Sequence, residues 1–192
     1  MNQTVPIPLN TSAIRTALDS TNPAIALGVA LVCFHALTSQ QLIDLKLTDI
    51  IDSRINLDGR CIPIAEPVRV RLAAYLDYRQ QTWPASINPH LFVSRRTAPR
   101  LQPVGRQFLW QYSEIKPQAL REDRILQEIH ATGGDHRRIC DLFGISIQTA
   151  ERYASTLTHS ADSPTPPVPE PDNARNMSIA DYSRVPKFSA RE

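Results

Sequence analysis

Paired cysteines are missing from this chain of 192 residues: its three thiols, Cys33, Cys61 and Cys140, stand far apart and form no CxxC. A dispersed, odd set reads as small core residues and excludes a disulfide framework and a cysteine metal centre. No metal-ligand spacing links the histidines and no cofactor signature is readable, so the expectation is no metal and no cofactor. Long apolar runs are missing too. The longest, Ala24 to Phe34, has 11 residues, where a membrane span needs about 20. No charged segment precedes an apolar stretch at the start, which argues against a secretory leader. The expectation is a cytoplasmic protein without a membrane partner. Bulky aliphatic side chains become scarce from residue 158 onward, where six of the 16 prolines gather. Such a stretch cannot bury enough surface to offset the entropy of ordering. The chain therefore divides into an N-terminal extension over 1–9, a folded domain over 10–157 and a disordered Pro-rich tail over 158–192.

Lysine is also scarce, 3 residues against 18 arginines, and the formal net charge of +2 conceals how the arginines are placed. Between Arg54 and Arg106 nine arginines stand against three acids. A concentration of this kind is the electrostatic footprint of a polyanion partner.

The apolar periodicity is mostly helical. Thr11 or Ser12 caps a helix through Leu18, and Asn22-Pro23 opens a second that is apolar nearly all round and hence central. Ser39 caps a third helix. The period then changes: Ile55 and Leu57 alternate with polar neighbours, Asp58-Gly59 supplies a two-residue turn, and Cys61 to Ile64 returns, which predicts a hairpin. A helix is expected from Pro67 to about Gln80, a short strand over 90–94, and another helix from Pro103 to about Ser113. Lys116-Pro117 opens a helix ending at Gly133-Gly134. Asp135 caps the next, Gly144 ends it, and Ser146 caps the last, through about Leu157. The fold class is mainly α with a small antiparallel β-sheet.

Three segments, in order, resemble the catalytic domain of tyrosine recombinases, the phage-integrase family. Phe34-His35-Ala36-Leu37-Thr38-Ser39-Gln40-Gln41-Leu42 through Asp49-Ile50 is similar to that family's T-G-L-R-x-S-E-L-x-x-L-x-x-x-D-I segment. Gln118-Ala119-Leu120-Arg121 is similar to its H-x-L-R box. Leu142-Phe143-Gly144-Ile145-Ser146, with Tyr153 after it, is similar to L-G-H-S and the tyrosine about ten residues on. The resemblance spans roughly residues 10–157 and implies an integrase-like fold, duplex DNA as partner, and a role in DNA recombination or integration, as in a mobile element.

The departures carry the chemistry. The resemblance implies a phosphate cradled by arginines and histidines while a tyrosine attacks it, and of these only Arg121 and Tyr153 remain. Thr38, Gln118 and Ile145 occupy the substituted catalytic positions, and Arg60 stands near the family's hairpin lysine. Phosphoryl transfer is catalysed mainly by positioned cations, each typically worth about 10²–10³ in rate. Thr38 brings no charge, and neither Gln118 nor Ile145 can take the proton of a phenol. The reading is a DNA-binding recombinase-like protein with lost or strongly reduced strand transfer, which leaves its status as an enzyme open. Its DNA contacts are expected from Arg54, Arg60, Arg95, Arg96, Arg100, Arg106, Arg137 and Arg138. An active recombinase or a second copy is a further possible partner.

Two alternatives stay open. The segment Arg137 to Ala154 has the spacing of a helix-turn-helix, which would make the protein a transcriptional regulator touching DNA through Gln148, Thr149 and Arg152. The Pro-rich tail would suit an interaction scaffold.

Overall fold

A computed structural model describes residues 11–111, 115–133 and 135–161, with 156–161 described through their backbone. The extension expected over 1–9 and the tail beyond Ala161 lie outside the described residues.

Among the described residues, seven α-helices, one 3-10 turn (Leu47–Asp49) and one three-stranded antiparallel sheet occur, with the α-helices and strands in the order α1 (Thr11–Leu18), α2 (Pro23–His35), α3 (Ser39–Asp44), β1 (Ile50–Ile51), β2 (Arg54–Leu57), β3 (Arg60–Pro63), α4 (Glu66–Thr82), α5 (Pro117–Thr132), α6 (His136–Phe143) and α7 (Ile147–Ala161). A mainly α domain with a small antiparallel sheet is what the sequence predicts. No described helix is long and apolar enough to cross a membrane.

Two apolar clusters organise these elements. The larger is centred on α2, which Asn22 caps by accepting from the Ala24 N–H. Leu27, Val29, Ala30 and Val32 are fully buried there, and Gly28 lets Leu109 pack directly on the helix backbone. Ile55 and Ile62 face each other across β2 and β3 and join the sheet to this core. Asp58 and Gly59 both have positive φ, 51° and 74°, as a two-residue hairpin turn requires. The smaller cluster unites Ala36, Ile125, Ile129, Ile139, Phe143 and Ala150 from α5, α6, α7 and the end of α2. Gly133 and Gly144 end α5 and α6 in the left-handed conformation expected of C-caps.

Several expectations need correction. Thr38, not Ser39, caps α3: its hydroxyl accepts from the Gln41 N–H while the Gln41 side chain accepts from the Thr38 N–H. The strand expected over 90–94 is reduced to one bridge, Lys46 with His90, because the Val93 and Ser94 amides bond to side chains of Tyr75 and Thr97. No helix forms from Pro103. Val104, Leu109 and Trp110 are buried, but turns carry them inward, with short-range bonds from Gly105 to Phe108 and from Gln107 to Trp110 and Gln111. Conversely α7 continues to Ala161, past its expected end at about Leu157, since no proline interrupts the chain before Pro164.

Candidate nucleic-acid interface

The smaller cluster is where the resemblance-bearing residues meet. Helix α2 ends at Ala36 in a left-handed turn, φ 50°, and its carbonyl accepts from Arg121 Nε on α5 at 2.8 Å. One turn further along α5, Arg124 lies over the Phe143 ring at 5.5 Å and reaches the Phe34 carbonyl. Tyr153 on α7 packs against the same cluster. From the hairpin, Arg60 crosses to the end of α6, where Nη1 donates to the Leu142 carbonyl at 2.9 Å. Arg121, Tyr153 and Arg60 thus all approach the smaller cluster, and the charges of Tyr153 and Arg60 both act on Arg121.

Electrostatics agree with this placement. Burial depresses the pKa of Arg121; Arg60 pushes in the same direction, while Tyr153 and Glu122 oppose it. A guanidinium stays protonated regardless. Burial raises the pKa of Tyr153, with Glu122 adding to the rise and Arg121 and Arg152 opposing it. At neutral pH the side chain is therefore a phenol.

The residues that the resemblance reads as substituted, Thr38, Gln118 and Ile145, have structural tasks here. Thr38 is committed to capping α3. Gln118 donates from Nε2 to Glu122 Oε1 at 2.7 Å, and Ile145 packs as an apolar residue on the smaller cluster. Glu122, which sequence reasoning passed over, brings a carboxylate to Arg121 and Tyr153; it is visible in the sequence only as the residue after the arginine. Arg54 donates from Nη1 to Cys61 Sγ at 3.6 Å, and Arg69 pairs with Glu66 on the surface of α4. Arg60 is the hairpin cation that reaches the smaller cluster.

The other expected DNA contacts lie on exposed segments. Arg95, Arg96 and Arg100 project from a turn over 94–100, stapled by reciprocal bonds between Ser94 and Thr97. Beneath it sits Asn88, buried to 2% exposure. Its Nδ2 donates to the Thr97 and Gln102 carbonyls, both at 2.8 Å, and its Oδ1 accepts from the His90 amide. Arg79 holds the Asn88 carbonyl from α4 at 2.7 Å. Nothing local in the sequence marks Asn88 as this hub. Arg106 is exposed on the following turn. Arg137 and Arg138 are exposed in the first turn of α6, and Arg138 lies 3.8 Å from Glu128, which also pairs with Arg124. On α7, Gln148 is exposed, Thr149 shares a 2.9 Å hydroxyl contact with Ser146, and Arg152 lies over the Tyr153 ring at 5.6 Å.

No protein-family model and no curated sequence matches the chain. Solved structures do match its fold. One is XerA recombinase, with a TM-score of 0.63 and 21% identity over 84% of this chain and 67% of that one. Another is XerH site-specific recombinase in a post-cleavage complex with its palindromic difH substrate, at a TM-score of 0.60 and 17% identity over 83% of this chain. The Tn1549 transposon integrase with a circular intermediate DNA gives a TM-score of 0.58 and 12% identity over 83% of this chain. The chain spans 55% of the XerH length. The described domain has the fold of these tyrosine recombinases.

Proposed function

We propose that this protein binds duplex DNA as a degenerate tyrosine-recombinase-like protein, a member of that family in which strand transfer is lost or strongly reduced. The observation that carries the reading is the convergence of Arg121, Arg60 and Tyr153 on one cluster while Thr38 is consumed as a helix cap. The fold it shares with recombinases solved on DNA supports the same partner. Two guanidinia suit a phosphodiester, because charge-assisted bonds from arginine to phosphate are strong and directional. Cleavage asks for more. A phenol with a raised pKa needs a base and a full set of cations, and the positions that would supply them hold Thr38, Gln118 and Ile145. Glu122 places negative charge near the attacking oxygen and opposes its ionisation.

Arg95, Arg96 and Arg100 extend the surface along an exposed, hydrogen-bonded loop, and Arg54, Arg106, Arg137 and Arg138 supply further cations for backbone phosphates. Through these contacts the protein would regulate or assist an active recombinase, or pair with a second copy. Salt-titrated binding of labelled duplex DNA tests the reading: affinity should fall linearly on a log–log plot, with a slope of about −0.9 per phosphate contacted. Salt-independent binding, or none at low salt, would remove DNA as the partner.

A regulator using α6 and α7 is the second reading. Its specific support is the three-residue connection at Gly144, Ile145 and Ser146, followed by the exposed Gln148. It predicts that Gln148→Ala relaxes sequence preference, whereas the first reading predicts an unchanged preference.

A further inference from the structure

We propose that the apolar groove between α1 and α5 is a docking site for a segment of this same chain, Val5-Pro6-Ile7-Pro8-Leu9, which runs back along α1 as a strap. The inference is independent of DNA binding.

The groove makes the first argument. It holds about 480 Å³, within the range of about 300–1,000 Å³ of ligand-sized clefts, and so is larger than a packing void. Ile14 and Leu18 line it from α1, Leu120 from α5, and Cys33 and Phe34 from the end of α2. Asp123 and Gln127, joined by a 2.7 Å bond from Gln127 Nε2 to Asp123 Oδ2, add a polar rim on α5. Helix α1 has eight residues and no fully buried side chain. A helix that short is marginal in water and depends on cover for its apolar face, yet Ile14 and Leu18 are only half-buried. An apolar occupant of the groove supplies the cover they lack.

The chain itself supplies the occupant. Thr11, the first residue of α1, lines the groove, so the segment that precedes it is tethered at the mouth. Val5, Ile7 and Leu9 alternate with Pro6 and Pro8. A residue before proline is biased to extended backbone, in which alternate side chains share one face. The four steps from Leu9 to Val5 span about 13 Å at about 3.3 Å each, against about 12 Å for the length of α1 at about 1.5 Å per residue. The apolar strip therefore matches the wall it would cover. Proline has no N–H, so Pro6 and Pro8 bring no donor that burial would leave unpaired. Asn10, the one residue between strip and helix, is of a type that suits a chain reversal. So short a tether gives the strap an effective concentration in about the millimolar range, an advantage that a second copy or a separate partner does not have.

The test is maleimide labelling of the full chain, resolved by mass spectrometry at Cys33, Cys61 and Cys140. Cys33 lies in the groove, whereas Cys61 is on β3 and Cys140 on α6. Burial first, with Asp123 adding and Arg71 opposing, raises the Cys33 pKa to about 11. Opening the groove therefore exposes this thiol and increases its reactive thiolate. The double variant Ile7→Asp/Leu9→Asp should speed labelling of Cys33 at least about tenfold, because two aliphatic anchors become charged, and should leave Cys61 and Cys140 at their native rates. The apolar double variant Ile7→Val/Leu9→Ile should label at close to the native rate. Equal Cys33 rates in the native chain and the charged variant would refute the strap. Equal acceleration at Cys33 and Cys140 would mean a loosened fold and would refute it too. Protection of Cys33 in the native chain that weakens on dilution would put a second copy in the groove and overturn the assignment to residues 5–9.

Discussion

His35 offers a prediction that follows from burial and one hydrogen bond. It ends α2, is 7% exposed, and its Nε2 accepts from the Ala65 N–H at 3.3 Å, which fixes the proton of the neutral ring on Nδ1. Protonation would destroy that acceptor, place a charge in a buried site and set it near the Arg124 guanidinium. Burial first, then Arg124, pushes its pKa from 6.5 down to about 4. The unfolded chain takes up the proton before the native one does, so this stability is complete above about pH 6.5 and is lost as pH falls towards 4. At 1.36 kcal/mol per unit the loss approaches about 3 kcal/mol, a large part of a typical total of about 5–15 kcal/mol. Urea unfolding of the native chain and of His35→Gln across that range isolates it, because carboxylates and His90 titrate in both proteins. The variant should be less stable at pH 7.5 and should lose about 3 kcal/mol less on acidification. Parallel curves would refute the assignment of a neutral, accepting His35. The consequence reaches Arg121, since the carbonyl of the next residue, Ala36, accepts from its Nε.

Further outcomes follow from single contacts. Asn88→Ala removes two donors to part-buried carbonyls and the buried acceptor of the His90 amide; it should cost about 1–3 kcal/mol in chemical denaturation and speed amide exchange over 94–102. Unchanged exchange there would mean the loop is held by Ser94 and Thr97 alone. Thr38→Arg restores a cation at the substituted position but removes the cap of α3. A loss of about 1 kcal/mol is expected, with no covalent adduct on DNA; an adduct formed by this variant and not by the native chain would show that one charge suffices for cleavage and contradict the reading that several groups are missing. Replacing Arg95 and Arg96 together by Ala should flatten the salt dependence of duplex binding by roughly two units of slope. An unchanged slope would place the contact surface elsewhere.

What the sequence reveals divides along local and distant physics. The all-apolar α2, the Asp58-Gly59 turn and the glycine ends of α5 and α6 are legible because each is written in a few adjacent residues. The segment 103–111 misleads: Val104, Phe108 and Leu109 have helical spacing, yet turns carry them into the larger cluster, and Gly28 of α2 makes room for Leu109. Strand β1 has two residues and is followed by Asp52 and Ser53, both with positive φ, a turn composition does not advertise. Thr38 is read from resemblance as a missing arginine, whereas its positive task, capping with Gln41, lies in the next three residues. The candidate site is the least legible part. Arg121 and Tyr153 are singled out by resemblance, but the reach of Arg60 to Leu142 and the hold of Asn88 on the arginine loop depend on partners that tertiary packing supplies.

The central claim is phosphate recognition without cleavage, and one gel tests it most directly. Labelled duplex DNA is incubated at low salt with the native chain and with Tyr153→Phe, and each sample is run under native and denaturing conditions. The account predicts a retarded band of equal strength for both proteins and no adduct surviving denaturation in either. A denaturation-resistant adduct that forms with the native chain and vanishes in Tyr153→Phe would contradict it.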